Sequence, residues 1–144
     1  LDLQEEVKAL KARLQKTTVF VTHDLDEAVR LADRIAIMQD GRIIQTGTPE
    51  ECVMNPATDY VRRFTASVSK IKVARIGSAM RVEDASLSAD APVLSASDLV
   101  AEQLRTILTS GSVFRVVNQS GKSVGQIGSA EVVDLLQPAG EARS

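Results

Sequence analysis

The feature that most narrows the fold is an order of elements packed between Thr17 and Glu51, TTVFVTHDLDEAVRLADRIAIMQDGRIIQTGTPEE. The short apolar run Val19-Phe20-Val21, bounded by threonines, predicts a buried strand of a parallel sheet. It leads into the chain's single histidine, His23, and then into Asp24 and Asp26. Leu25, Ala28, Val29 and Ala32 follow at helical spacing. Asp24 is placed to cap that helix, with Glu27 three residues on as the acidic half of a capping box. His23 is therefore expected where a strand hands over to a helix, and in open α/β sheets that edge binds ligands.

The next elements are as well marked. Residues 34–38 and 42–46 predict a hairpin closed by Asp40-Gly41. Thr48-Pro49-Glu50-Glu51 opens a helix over 48–54, with threonine as cap and proline at the first helical position. Asn55-Pro56 breaks it, and Ala57 to Ser67 predicts another helix with Tyr60, Val61 and Phe64 on one side. Ahead of all this, Leu3, Val7, Leu10 and Leu14 form one stripe of a helix over residues 1–16. A parallel strand needs cover on both faces and neighbours in its sheet. The expectation is that the chain, which opens on Leu1, is a fragment of a longer protein.

This segment resembles the end of the ATPase subunit of ABC transporters, from the histidine switch loop (VTHD) onward. The continuation DLDEA, the run IAIMQDGRIIQTGTPEE and the tail NPATDYVRRF resemble most the quaternary-amine importers that carry glycine betaine, proline or choline. The resemblance implies the carboxyl-terminal part of a P-loop NTPase domain, an α/β fold of sheet and helices. It implies that His23 reaches the terminal phosphate of ATP, held with Mg2+, at the interface of two ATPase subunits. The implied partners are a second ATPase subunit, membrane-spanning permease subunits and, indirectly, a solute-binding protein. The implied location is the cytoplasmic face of the membrane, by way of the permease.

Composition shifts near Ser67 to Lys72, which sets the expected domains at 1–67 and 68–138 with a tail over 139–144. A soft stretch rich in Ala, Ser and Asp runs to Ala91, and Pro92-Val93-Leu94 is a strand entry. Ser95 to Thr109 predicts a helix capped by Ser97, with Leu99, Val100, Leu104, Ile107 and Leu108 as its apolar stripe. Residues 113–117 and 123–127 predict paired strands around a turn over 118–121, and Ser129 to Leu136 a closing helix stopped by Pro138. The order helix, strand, turn, strand, helix resembles a single cystathionine-β-synthase (CBS) module, a small α+β unit. That family takes adenine nucleotides through a hydroxyl and an aspartate after a glycine. Here Ser129 is offset by one position and Glu131 stands in place of the aspartate, so these two residues are the implied nucleotide contacts.

Other readings are bounded by chemistry. A net charge of −2, with neither half strongly basic, argues against nucleic acid as a partner. No apolar run approaches the roughly 20 residues of a membrane span. The lone Cys52 excludes an intrachain disulfide and suits a reducing compartment. Asp24, Asp26 and Glu27 are explained by helix capping and the helix dipole, so no metal site is assigned. Phosphoryl transfer requires a glycine-rich cradle with a lysine, and carboxylates for magnesium and water. Gly121-Lys122-Ser123 imitates only the end of such a cradle, since Val116 stands where its first glycine belongs. The segment alone is therefore expected not to hydrolyse ATP. The alternative from another class is a non-catalytic CBS-type regulatory protein that senses a ligand, and a third is a decayed fragment without activity.

Overall fold

The structure, a computed structural model, describes residues 17–82, 87 and 90–137. The helix expected over residues 1–16, the stop at Pro138 and the tail over 139–144 lie outside them. The chain divides into two compact units at Val68 and Ser69.

In the first unit, α1 (Leu25–Leu31) leads to the hairpin β1 (Ile35–Gln39) and β2 (Arg42–Gly47), then to α2 (Pro49–Met54) and α3 (Asp59–Thr65). Asp40 and Gly41 both have positive φ, 49° and 76°, the two-residue turn whose twist matches a hairpin. Ile37 pairs with Gln45 and Met38 with Ile43, so one extra residue of β2 bulges between them. Alternation puts Ile35 and Ile37 on the covered face, where they meet Cys52 of α2 and Val61 of α3. Leu25, Ala28 and Ala32 pack on the same cluster, which explains why α1 lies against the hairpin. Thr48 and Glu51 form a reciprocal capping box at 3.1 and 2.8 Å, as their spacing predicts. The Gln45 side chain accepts from Ala57 N (2.8 Å) and donates to the Asn55 carbonyl (3.1 Å), satisfying the backbone where Pro56 interrupts the helices. Tyr60 and Phe64 stack one helical turn apart, their ring centroids separated by 5.9 Å.

The expected strand over 18–22 is not formed. These residues carry no assigned secondary structure and pair with no described strand, and Val19 and Val21 are 87 and 91 % exposed. The reason is physical: a strand of parallel-sheet type gains its hydrogen bonds and its cover from neighbours, and no described strand lies alongside this one.

The second unit begins with two short helices, α4 (Lys70–Val73) and α5 (Ile76–Ala79), which the sequence pattern does not announce. They precede β3 (Arg81–Val82), β4 (Val93–Ser95), α6 (Val100–Ser110), β5 (Phe114–Val117), β6 (Ser123–Ile127) and α7 (Ser129–Leu136). The four strands form one mixed sheet in the order β3-β6-β5-β4, with β4 parallel to β5 and the other pairs antiparallel. The parallel pair requires a crossover, and α6 supplies it. Val100 and Ile107 of α6, Val132 of α7 and Phe114, Val116 and Ile127 of the sheet make the core with Ile71 and Ile76. Leu108, assigned to the buried stripe, is 44 % exposed. Ser97 does not cap α6, which starts at Val100 after Leu99. Its hydroxyl instead meets that of Ser95 at 2.8 Å, and Asp98 accepts from Ser95 N at 3.4 Å. The side chains satisfy a turn before the helix and so compete with capping. Gly111, in the left-handed region at φ 66°, closes α6.

Candidate functional site

His23 sits with Asp24 in the two-residue step between the segment that ends at Thr22 and α1, and it is exposed. The step is tightly knit. The Thr22 hydroxyl accepts from Asp24 N (3.0 Å) and donates to the Glu27 carboxylate (2.8 Å). The Asp24 carboxylate in turn accepts from Glu27 N at 3.1 Å. Asp24 is thus the cap that its position predicts, but Glu27 completes no capping box. Its carboxylate reaches back to Thr22 rather than to Asp24 N. Sequence reasoning passed over Thr22, although a threonine beside a cap and an acidic residue in the first turn are the ingredients of such a network. The placement of His23 at the carboxyl end of a paired strand is corrected, since Thr17 to Thr22 carry no strand and pair with no described strand. The following half, a capped helix beginning at Leu25, is as expected.

The second unit gathers its polar residues at the start of α7. Glu131 is only 9 % exposed. One of its oxygens accepts from Gly128 N at 2.8 Å and the other pairs with Arg81 Nε at 2.6 Å. Each carboxylate oxygen therefore already holds an internal partner. Ser129, next to it on the first turn, is exposed. Arg81 escaped sequence reasoning because nothing local links it to Glu131; only the antiparallel pairing of β3 with β6 brings β3 to α7. That pairing also explains Gly125. A Cβ there would overlap the Arg81 carbonyl oxygen and the Met80 sulfur, so the edge strand can lie down only over a glycine.

Gly121 has φ 77° in a turn that Asn118 organises, its side-chain oxygen accepting from Ser120 N and Lys122 N, both at 3.0 Å. Gly121-Lys122-Ser123 therefore serves a hairpin. Cys52 is fully buried, and burial, with the Glu51 charge adding to it, pushes its thiol above the ordinary range. Among the described residues no helix is long and apolar enough to cross a membrane.

No protein-family model matches the chain. Individual proteins do. The trimethylamine N-oxide transport system ATP-binding protein of Pelagibacter ubique is 41% identical over 135 residues, which is 94% of this chain and 39% of that protein. The glycine betaine/carnitine transport ATP-binding protein of Listeria monocytogenes is 39% identical over 137 residues, 94% of this chain and 33% of its own length. The glycine betaine/proline betaine transport system ATP-binding protein of Escherichia coli is 55% identical over 67 residues, 46% of this chain and 17% of its own length. The chain thus spans no more than about two-fifths of these relatives. Along most of its length the chain is similar to proteins named as ATP-binding proteins of trimethylamine N-oxide, glycine betaine, carnitine and choline transport systems, each matched over only part of its own length.

Proposed function

We propose that this chain is the carboxyl-terminal segment of the ATP-hydrolysing subunit of an importer for compatible solutes of the glycine betaine, proline betaine and choline type. It carries the switch histidine and ends in a regulatory CBS-type module. The observation that carries this reading is homology along 94% of the chain to subunits named for such transport. The structure supports it locally, because the exposed His23 stands at the entrance to a side-chain-capped helix.

An imidazole so placed can donate a hydrogen bond to a phosphate oxygen or orient an attacking water. In the intact machine two subunits close on ATP and Mg2+, and His23 touches the terminal phosphate across that closure. The phosphate cradle and the carboxylates for Mg2+ belong to the remainder of the subunit, so this segment by itself is not an ATPase. The permease places the subunit on the cytoplasmic face of the membrane, and a solute-binding protein feeds that permease.

The regulatory reading of the second unit is supported by its parallel strand pair joined through α6, followed by an antiparallel hairpin and α7. Nucleotide contact through Ser129 and Glu131 requires Arg81 to give way first, because Glu131 is already paired. The test of the main reading is His23→Ala in the full-length subunit assembled with its permease. ATP hydrolysis should fall at least about a hundredfold while ATP still binds. Hydrolysis at the unaltered rate would overturn the reading.

A further inference from the structure

We infer that Thr22 and Glu27 are positioning residues for His23, holding the backbone on both sides of it so that the imidazole is presented in one direction. The inference rests on the functional reading given above for His23.

His23 follows an extended segment whose apolar side chains are exposed and whose backbone pairs with no described strand. Left to that segment, its direction would be poorly fixed. Three hydrogen bonds fix it from the other side. Thr22 Oγ1 accepts from Asp24 N, which bridges the residues before and after the histidine (3.0 Å). The same hydroxyl spends its single proton on Glu27 Oε2 (2.8 Å), and Asp24 Oδ1 accepts from Glu27 N (3.1 Å). The result is a closed loop of contacts from residue 22 to the first turn of α1. The helix is anchored in its turn by Leu25 and Ala28 on the hairpin cluster. The orientation of His23 is therefore referred to the packed core of the unit through one hydroxyl and one carboxylate. A hydroxyl is needed, since only a group that donates and accepts at once serves both contacts. Glu27 is needed as acceptor and as the link to the helix. Both residues act through the backbone that flanks His23, so they are positioning residues.

Geometry set this way matters more for turnover than for binding, because a displacement of about 1 Å can cost up to about a hundredfold in rate. The test is steady-state hydrolysis by the full-length subunit with its permease, for Thr22→Val, Glu27→Ala, their double variant, Thr22→Ser and His23→Ala. Thr22→Val and Glu27→Ala should each lower kcat between about ten- and a hundredfold with KM for ATP unchanged. The double variant should fall no further than the worse single one, since both remove the same bond. Thr22→Ser, which keeps the hydroxyl, should recover kcat to within about twofold of the unaltered subunit. Amide exchange should quicken at Asp24 and Glu27 in Thr22→Val while the amides of β1 and β2 stay protected.

If His23→Ala keeps full hydrolysis, the functional reading falls and takes this inference with it. If His23→Ala loses hydrolysis but Thr22→Val turns over normally, the inference alone is wrong. It is wrong too if Thr22→Ser is as damaged as Thr22→Val, or if the hairpin amides lose protection alongside kcat.

Discussion

Single side chains in this chain hold junctions together, and Glu131 illustrates it. It satisfies the Gly128 amide at the head of α7 and neutralises Arg81 of the edge strand. The Arg81 side chain is 61 % exposed, so the ion pair itself contributes little, and the buried amide matters more. Glu131→Ala should therefore destabilise the second unit by roughly 1–3 kcal/mol, read as a lower urea midpoint for that unit. Thr48→Ala removes one half of a capping box and should cost the first unit about 1 kcal/mol in the same experiment. Cys52 adds a dependence on pH. Its thiol is raised by burial above 9.0, so the unfolded chain surrenders its proton first as the pH climbs. The stability it contributes is whole below that value and is lost as the pH rises toward the folded thiol's own. Cys52→Ala should consequently be less costly, relative to the unaltered chain, at pH 10 than at pH 8. For the same reason a thiol reagent should label Cys52 only on unfolding.

Elements are legible in the sequence to the degree that their signals are local. The turn at Asp40-Gly41, the capping box at Thr48 and Glu51 and the helix from Ser129 are all fixed by residues close in sequence, and all are found where spacing places them. The failures share a cause. The run at Val19 to Val21 has strand composition, but a strand exists only with a partner, and composition cannot supply one. Ser97 looks like a cap, yet the neighbouring Ser95 and Asp98 give its turn better local bonds. The edge strand β3 is two residues long and depends on its fit over Gly125. Gly125→Ala should lift β3 from the sheet, at a cost of roughly 1–3 kcal/mol. Faster amide exchange at Arg81 and Val82 with an intact β5–β6 pairing would verify it. Unchanged exchange there would show that the edge tolerates a side chain.

The whole molecule is two units in one chain, matched along 94% of its length by subunits that are more than twice as long. His23 stands out in the sequence because it is the chain's only histidine and lies between an apolar run and a capped helix. The network behind it was not legible, since hydroxyl direction and carboxylate reach are properties of the folded loop. The measurement that tests the account most directly is a structure of the full-length subunit trapped as an ATP-bound dimer. A ring nitrogen of His23 should lie about 3 Å from an oxygen of the terminal phosphate in the closed dimer. An imidazole turned away from that phosphate in the closed dimer would contradict it.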